Sequence, residues 1–294
     1  MIKGLLVTLK PESLLISVIS GTVGTALAAL HGPIVWSHYF LTMLGLALLH
    51  GGANVINDYF DYKYRIDTAE VPGSYATEAR AIIQKWLKPS QVLGFSLILF
   101  GFSLPIGIYL TLMRGLPVFL LGLLGFMTGF FYTARPIGLK YVALGEFAVF
   151  LMWGPLMVSG AYYVQRGEFI AQAFWVSLPM GILVALILLA NNIRDITSDG
   201  QVRVRTIATL LGRTRAVKLY ELLVVFVYGI TILLVITGQI SGWGLVTLLS
   251  LFLALKLIRM LHGEIPKDAD ARTAQLNALF GILLIIGIVV GKLF

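Results

Sequence analysis

The sequence predicts an all-α protein, a polytopic membrane bundle of nine transmembrane helices forming one domain over residues 1–294. Its composition is the first observation behind this prediction: 58% of the residues are hydrophobic, only 12% are charged, and the mean hydropathy is +0.91. A soluble domain carries about twice that share of charged residues. The second observation is that uncharged runs long enough to cross a bilayer, roughly 20 residues, recur along the chain. The third is that neither long polar segment, 57–90 or 191–218, is large enough to form a second core.

The uncharged runs give the helices in chain order. Residues 13–57 form a run of 45 residues without Asp, Glu, Lys or Arg, long enough for two helices separated at the turn signal His31-Gly32-Pro33. Residues 222–255 again hold two helices, divided by the glycine-containing stretch 238–242. Each of the remaining runs gives a single helix: 89–113, 115–134, 147–165, 169–193 and 273–291. If one break is misread, the count becomes eight.

The basic residues orient this bundle. With nine helices, one face receives the N-terminus and four loops, and these segments carry 19 of the 22 Lys and Arg residues. The other face keeps only Arg114, Arg166 and Lys292. Because cytoplasmic loops are enriched in Lys and Arg, the N-terminus and these loops are predicted to face the cytoplasm. A nucleic-acid partner is not predicted, since no separate basic domain exists to bind one. The oligomeric state is not predicted.

Two similar acidic clusters lie at this predicted cytoplasmic face. The first is NDYFDYKYRID, residues 57–67, and the second is NNIRDITSD, residues 191–199; together they hold five of the fourteen acidic residues. Carboxylates beside a hydrocarbon core are costly unless they are paired or bind metal, so each cluster indicates a functional site. The chain has no cysteine, and oxygen ligands alone favour a hard cation such as Mg²⁺.

Helical spacing gives each cluster a shape. Asn57 and Asp61 are four residues apart and share one helix face. We expect that helix to end near Asp61, so that the following loop brings Asp67 back towards it. In the second cluster the polar residues at i, i+4 and i+8 form one stripe. The predicted metal ligands are Asn57, Asp58, Asp61, Asp67, Asn191, Asp195 and Asp199. For Asp58, direct ligation and support of a neighbouring ligand are both open, as it follows Asn54 by one turn.

Basic residues beside these acids indicate a second ligand. Acidic residues alone suit a bare cation, whereas acidic residues mixed with Lys and Arg suit a phosphate bridged to the protein by Mg²⁺. A diphosphate held beside the hydrocarbon core implies a substrate with an apolar tail, such as an isoprenyl diphosphate. The predicted diphosphate ligands are Lys63, Arg65, Lys140, Arg194 and Arg205. The positive-inside bias explains the same residues equally well. Lys10 and Lys85 are poorer candidates.

The paired motifs resemble those of the UbiA superfamily of intramembrane prenyltransferases, and in particular its 1,4-dihydroxy-2-naphthoate, or menaquinone, branch. The step of six residues from Asp61 to Asp67 matches that branch, as do GLKYVALGE at 138–146 and YYVQ at 162–165. Two departures are visible: Arg65 stands where the first motif usually has glycine, and YTARP at 132–136 replaces a glycine-rich stretch.

The resemblance implies a helical bundle around a central cavity, capped by two cytoplasmic loops and open sideways to lipid. It implies Mg²⁺-dependent transfer of a prenyl group from a polyprenyl diphosphate to an aromatic acceptor, with Asp61 and Asp195 as catalytic residues. Glu146 is a third catalytic candidate, positioning or deprotonating the acceptor hydroxyl, although it equally suits a pairing with a neighbouring helix. Candidates for cavity or acceptor contact are Asn54, Tyr132 and Tyr141.

Three alternatives stay open. An ion-coupled secondary transporter would use intramembrane carboxylates, but it predicts acids near the membrane centre rather than at helix ends. A CDP-alcohol phosphotransferase is disfavoured, since its glycine-containing aspartate motif is absent. Within the same superfamily, an enzyme that uses glycerol phosphate in ether-lipid synthesis, 4-hydroxybenzoate, haem or chlorophyll precursors as acceptor is disfavoured by the motif spacing.

Overall fold

The computed structural model describes residues 1–66, 79–202 and 204–293, and within these ranges it contains helices and no β-strand. The helices are α1 (Ile2–Leu9), α2 (Pro11–Leu30), α3 (Trp36–Lys63), α4 (Arg80–Ile83), α5 (Pro89–Arg114), α6 (Leu116–Phe131), α7 (Gly145–Arg166), α8 (Ala171–Arg194), α9 (Ile196–Gln201), α10 (Ile207–Leu211), α11 (Arg213–Ile236), α12 (Gly242–His262) and α13 (Ala269–Leu293). The all-α prediction is confirmed.

Eight helices in the described residues are long and apolar enough to cross a membrane: α2, α3, α5, α7, α8, α11, α12 and α13. The apolar helix α6 has 16 residues, somewhat fewer than the roughly 20 that span a bilayer without adjustment. The chain is therefore an integral, multi-pass membrane protein. The count of nine spans stays a prediction, because it depends on α6.

Both predicted helix breaks are present. α2 ends at Leu30 with His31 as its C-cap, and α3 begins at Trp36 after the turn. α11 ends at Ile236 and α12 begins at Gly242. The chain also reverses direction between α5 and α6, and a single residue, Gly115 with φ 87°, makes that turn. This positive φ is accessible to glycine at little cost, which allows two helices to join without a loop.

Among the candidate spans in the described residues, α8 is the most buried, and it contributes to the main hydrophobic core. In α8, 72% of the apolar membrane-spanning part is buried, whereas in α5 the corresponding share is 22%. Leu183 and Leu186 of α8 are fully enclosed by a core that α2 and α11 to α13 help to form. α5 and α6 instead expose large apolar side chains, such as Phe102 on α5 and Phe119 on α6, as expected for helices that face lipid.

Contacts between distant segments define what we call the polar end of the bundle, marked by Lys10, Asp61, Lys140, Arg194 and Asp270. There, the start of α2 meets the end of α3, the loop before α7 meets α3, and the end of α8 meets the start of α13. The loop before α7 also pairs with the segment before α10 through the backbone, Ala143 N–H donating to Arg205 O at 2.8 Å.

The three basic residues predicted on the other face lie at the opposite end. Arg114 donates to the carbonyl oxygens of Val164 and Gln165 at 2.7 and 3.0 Å. Arg166 contacts the turn between α2 and α3, and Lys292 donates to the carbonyl of Ala29. The predicted separation of the cations into two ends is therefore observed. The compartment that the polar end faces stays a prediction.

Candidate active site

A cavity of about 380 Å³ runs through the bundle between α3, α5, α6, α7 and α8. Its walls are mainly apolar, and they extend to Leu110, Val118 and Val164 near the opposite end. Its polar lining is concentrated at the polar end, where the contributing residues are Lys10, Asn54, Asn57, Tyr132, Lys140, Asn191 and Asp270. The cavity is therefore amphiphilic, with charged and amide groups at one end and mainly hydrocarbon side chains, with a few uncharged polar groups such as His50, along the rest.

The first cluster is centred on Asp61, which is fully buried. Its Oδ2 accepts a hydrogen bond from Lys140 Nζ at 2.8 Å, and its Oδ1 accepts one from the Tyr141 hydroxyl at 2.6 Å. α3 continues to Lys63, two residues beyond the expected end. Both oxygens of a buried carboxylate are thus satisfied by groups from the loop before α7, which holds that loop against α3.

Asp58 is also fully buried, and its Oδ1 lies 3.2 Å from Lys10 Nζ. Lys10 joins α1 to α2 with φ 51°, and it lines the cavity. Asn54 does not support Asp58; its Nδ2 donates to Leu9 O at 3.1 Å and to Ser13 Oγ at 2.8 Å. The i, i+4 spacing places Asn54 near Asp58, but its side chain ties α3 to the start of α2 instead.

Each cluster contributes one amide to the cavity wall. Asn57 lines the cavity, and its Oδ1 is a buried acceptor with no hydrogen-bond partner among the residues that the structure describes. Asn191 lines the same cavity, and its Oδ1 accepts from Arg194 Nη2 at 2.6 Å. The two clusters therefore meet at one cavity, as the topology predicted.

The helix that carries the second cluster is interrupted at Asp195, within the predicted stripe. α8 ends at Arg194, Asp195 has φ −94° and ψ 10°, and α9 begins at Ile196. Consecutive side chains on a regular helix point about 100° apart, yet Arg194 donates to both oxygens of Asp195 at 2.8 and 2.7 Å. The pairing accompanies a change of backbone direction. Backbone i to i+4 hydrogen bonds are present on both sides of the break: Asp195 N–H donates to Asn191 O at 3.0 Å, and Asp199 N–H donates to Asp195 O at 2.9 Å.

Arg194 also contacts residues that are distant in the sequence. It donates to Asp270 Oδ1 at 2.9 Å and to Lys267 O at 2.7 Å. Asp270, at the start of α13, also lines the cavity. With two carboxylates beside it, the Arg194 guanidinium is largely neutralised before any phosphate binds.

The other predicted diphosphate ligands lie in different surroundings. Lys63, Arg65 and Arg205 are exposed and do not line the cavity; Lys63 Nζ lies over the rings of Tyr59 and Phe60, 5.7 and 5.9 Å from their centroids. Lys140 does line it. Their roles in binding stay predictions. Asp67 lies outside the described residues.

The backbone conformation at Arg65 concerns one of the two departures from the motif that the sequence resembles. Arg65 has φ 58°, a left-handed conformation that glycine adopts readily and other residues adopt at a cost. A glycine here, as in the motif of the branch that the sequence resembles, would adopt this conformation without that cost.

The contacts of Glu146, Tyr132 and Tyr141 show where these three candidates lie relative to the cavity. Glu146 is buried and accepts from Asn192 Nδ2 at 2.9 Å, which is the pairing with a neighbouring helix; it does not line the cavity. Tyr132 lines the cavity, and Tyr141 reaches the site through Asp61. A catalytic role for Glu146 stays a prediction.

Sequence reasoning ranked Lys10 low and did not select Asp270. Each lies three residues before a predicted span, at the predicted cytoplasmic face, and another charged residue, Glu12 or Arg272, lies closer to that span. That position is the only local signal, and it does not distinguish them from other loop charges. Their place at the cavity follows from the packing of α2 and α13 against the rest of the bundle.

Within the described residues, no three His, Asp or Glu side chains converge as a metal cluster. The oxygen atoms present there therefore supply only part of a divalent-cation site. The unpartnered Oδ1 of Asn57 at the cavity wall is nevertheless a hard oxygen donor of the kind that Mg²⁺ prefers. The amide of Asn191 and the carboxylates of Asp61 and Asp195 lie at the same end. Oxygen donors from both clusters therefore fit a hard cation brought in with an anionic ligand.

Comparison with known proteins identifies the group to which this architecture belongs. The sequence model of the UbiA prenyltransferase family matches residues 15–291. The chain is 30% identical to 1,4-dihydroxy-2-naphthoate octaprenyltransferase of Bacillus subtilis over 285 residues, covering 96% of this chain and 90% of that protein. It is 31% identical to UbiA prenyltransferase domain-containing protein 1 of Danio rerio, over 96% of this chain and 82% of the relative.

Solved structures share the fold at lower sequence identity. A UbiA homologue from Aeropyrum pernix K1 superposes with a TM-score of 0.74 at 14% identity, over 94% of this chain and 98% of that chain. A UbiA homologue from Archaeoglobus fulgidus, solved with GPP and Mg²⁺, superposes with a TM-score of 0.69 at 16% identity, over 98% of this chain and 99% of that chain. At these identities the similarity establishes the fold.

Proposed function

The chain belongs to the UbiA prenyltransferase family, and from this premise we propose that it transfers a prenyl group from a polyprenyl diphosphate to 1,4-dihydroxy-2-naphthoate in a Mg²⁺-dependent reaction. Prenyl transfer as the reaction type follows from the family. The acceptor, the metal and the residue roles are the parts proposed.

The observation that carries the proposal is the amphiphilic cavity between the two clusters. Lys10 and Lys140 line its polar end, and mainly hydrocarbon side chains line the rest. A ligand that matches both parts has an anionic head and a long apolar tail, which describes a polyprenyl diphosphate. The solved Archaeoglobus fulgidus homologue was obtained with such a compound and Mg²⁺, which supports the same assignment.

The residues proposed to hold Mg²⁺ are Asn57, Asp61, Asn191, Asp195 and Asp199, with Asp67 outside the described residues. When bound, Mg²⁺ neutralises charge on the diphosphate leaving group. Asp58 is buried beside Lys10, so we assign it to positioning that lysine rather than to the metal.

The protein side chains supply the remaining steps. Lys140 and Lys10 stabilise the diphosphate as its bond to the allylic carbon breaks, because positive groups in a low-dielectric site interact strongly with developing negative charge. The apolar walls exclude water, so the allylic carbon forms its new bond with a ring carbon of the acceptor rather than with a hydroxide. Where that bond forms at the ring carbon that bears the carboxylate, loss of carbon dioxide returns the electron pair of the broken carbon–carbon bond to the ring, which regains aromaticity.

The naphthoate acceptor is supported by sequence similarity along the whole chain. The Bacillus subtilis relative carries that acceptor in its name, and the match covers most of both proteins. We further propose that the polar end faces the cytoplasm, since it receives most of the Lys and Arg residues, and that residues 1–294 act as one domain.

The direct test is an acceptor panel. Membranes containing the protein are incubated with labelled geranylgeranyl diphosphate, Mg²⁺ and, in separate reactions, dihydroxynaphthoate, 4-hydroxybenzoate or glycerol phosphate. We expect a labelled, decarboxylated product with dihydroxynaphthoate only, and its loss when EDTA removes Mg²⁺. Transfer to another acceptor alone would overturn the naphthoate assignment, and transfer unaffected by EDTA would overturn the metal dependence.

A further inference from the structure

A polar cluster lies in the cavity wall away from the aspartates. It consists of Ser17 on α2, His50 on α3 and Trp153 on α7. Ser17 Oγ lies 2.8 Å from His50 Nδ1 and accepts from Trp153 Nε1 at 2.9 Å. The His50 and Trp153 rings meet edge to face with centroids 4.8 Å apart. Both rings line the cavity, and Ser17 is fully buried behind them.

The hydrogen bonds determine which nitrogen of His50 carries the proton. The indole N–H of Trp153 only donates, so Ser17 Oγ accepts in that bond. Among the described residues, the one hydrogen-bond acceptor within range of the Ser17 hydroxyl is His50 Nδ1. Nδ1 therefore accepts, and the neutral ring carries its proton on Nε2. In this part of the chain Nε2 has no protein partner, so a donor faces the cavity.

The position of His50 relates this donor to the reaction. His50 precedes Asn57 by seven residues, so both lie on one face of α3, about 10 Å apart along its axis. A flat two-ring molecule is about as long as this distance. It therefore reaches from His50 towards the polar end, where the diphosphate is proposed to bind.

The backbone at Trp153 is also unusual. Residues Met152–Leu156 form one turn of π-helix within α7, and such turns are rare and frequent at functional sites. Close packing holds the turn in place, because a Cβ added to Gly154 would lie 2.8 Å from the Cα of Gly181 on α8. Met152 and Trp153 both line the cavity as a result.

We propose that Ser17, His50 and Trp153 recognise the ring of the aromatic acceptor. His50 Nε2–H donates to an oxygen on the ring, and Trp153 packs against the ring itself. A prenyl tail has no oxygen or nitrogen to accept this bond, so the cluster distinguishes the acceptor from the donor substrate. The inference rests on the proposed function, because it takes an aromatic ring as the second substrate.

The test compares substitutions that remove or keep the donor. His50→Leu removes it, whereas His50→Gln keeps an N–H group near the position of Nε2. His38→Gln is the matched control, since His38 lies on the same helix but does not line the cavity. For each purified variant, the KM for dihydroxynaphthoate, the KM for geranylgeranyl diphosphate and the Kd for labelled acceptor are measured, together with the midpoint of thermal unfolding in detergent.

The expected result is a change confined to the acceptor. Loss of one hydrogen bond raises the acceptor KM and Kd of His50→Leu roughly tenfold, while the KM for the diphosphate stays unchanged. His50→Gln recovers most of the affinity, and His38→Gln matches the wild type in all three constants. Parallel rises in both KM values, or a lowered midpoint with unchanged acceptor affinity, would show that the cluster only packs helices together, and would overturn the inference.

Failure of the proposed function gives a different pattern. A wild-type protein that transfers the prenyl group to dihydroxynaphthoate, with acceptor constants unchanged in His50→Leu, overturns this inference alone. A wild-type protein that neither binds nor prenylates an aromatic acceptor overturns the proposed function, and the inference with it.

Discussion

The two aspartate clusters are similar in sequence but are held in place in opposite ways. In the first, the buried carboxylate of Asp61 is bound by Lys140 and Tyr141, which follow it by 79 and 80 residues. In the second, the side chain of Asp195 is 32% exposed, and its partner is the adjacent residue Arg194. Here the arginine makes the distant contact, reaching Asp270 at 2.9 Å.

The residue that makes the long-range contacts therefore differs between the clusters: it is the aspartate Asp61 in the first and the arginine Arg194 in the second. Asp61 joins α3 to the loop before α7, so it serves both the fold and the proposed chemistry. Asp195 joins nothing distant among the contacts described above, while Arg194 joins α8 to α13. A substitution at Asp61 is therefore expected to change stability and activity together, and a substitution at Asp195 is expected to separate them.

The largest effect is expected for Asp61→Ala. The substitution removes a buried carboxylate from beside Lys140, which costs about 3 kcal/mol of stability, as for other buried ion pairs broken on one side. Prenyl transfer should fall about a hundredfold or more, because a charge that serves the leaving group is lost. Thermal unfolding in detergent and labelled-substrate turnover measure the two effects.

A double substitution provides the control for Asp61. In Asp61→Asn with Lys140→Met both charges are removed together, so most of the lost stability should return, while transfer should stay lost. If the double variant regains activity, the Asp61 carboxylate and the Lys140 ammonium serve only the fold, and the proposed roles of both at the diphosphate site are wrong.

The next effect tests the second cluster. Asp195→Ala should reduce transfer about a hundredfold, but it should cost only about 1 kcal/mol of stability, since the carboxylate is partly solvated and Arg194 keeps Asp270. Asp268→Ala is the matched control, because it breaks an exposed ion pair with Arg272 beside the same end of the bundle. Turnover and unfolding midpoints are compared for the two variants.

Arg194→Ala sharpens this comparison. Its loss of stability should exceed that of Asp195→Ala, because it removes the contact between α8 and α13. Equal stability losses for the two variants would contradict the assignment of Arg194 as the anchor of the second cluster.

The smallest effect is expected at Arg65, in the first motif. Arg65→Gly should stabilise the protein by about 0.5 kcal/mol, since glycine relieves the cost of a left-handed backbone. Arg65→Ala removes the same charge but keeps the Cβ, so it should show no such gain. A rise in the KM for the diphosphate shared by both variants would show that the cation binds substrate, as the sequence predicted.

Much of the bundle was predictable because the bilayer imposes simple requirements on a sequence. Uncharged runs and the turn at His31-Gly32-Pro33 gave helix positions close to those observed, since every backbone group in hydrocarbon must be satisfied within a helix. The spacing of Asn57 and Asp61 gave the helix face of the first cluster for a similarly local reason. Asp195 was harder to place, because its pairing with Arg194 accompanies a helix break that spacing alone does not contain.

By itself, the sequence determined the class of protein, the family and the end of the bundle at which the acidic clusters lie, because these depend on composition, period and short motifs. Only the tertiary structure decided that Lys10 joins Asp58, that Arg194 is shared with Asp270, and that Trp153 meets His50 at a π-helical turn. Such contacts join residues far apart in the chain, and the packing of whole helices sets which of many similar side chains meet. That packing is a property of all the helices together, so no single stretch of sequence contains it.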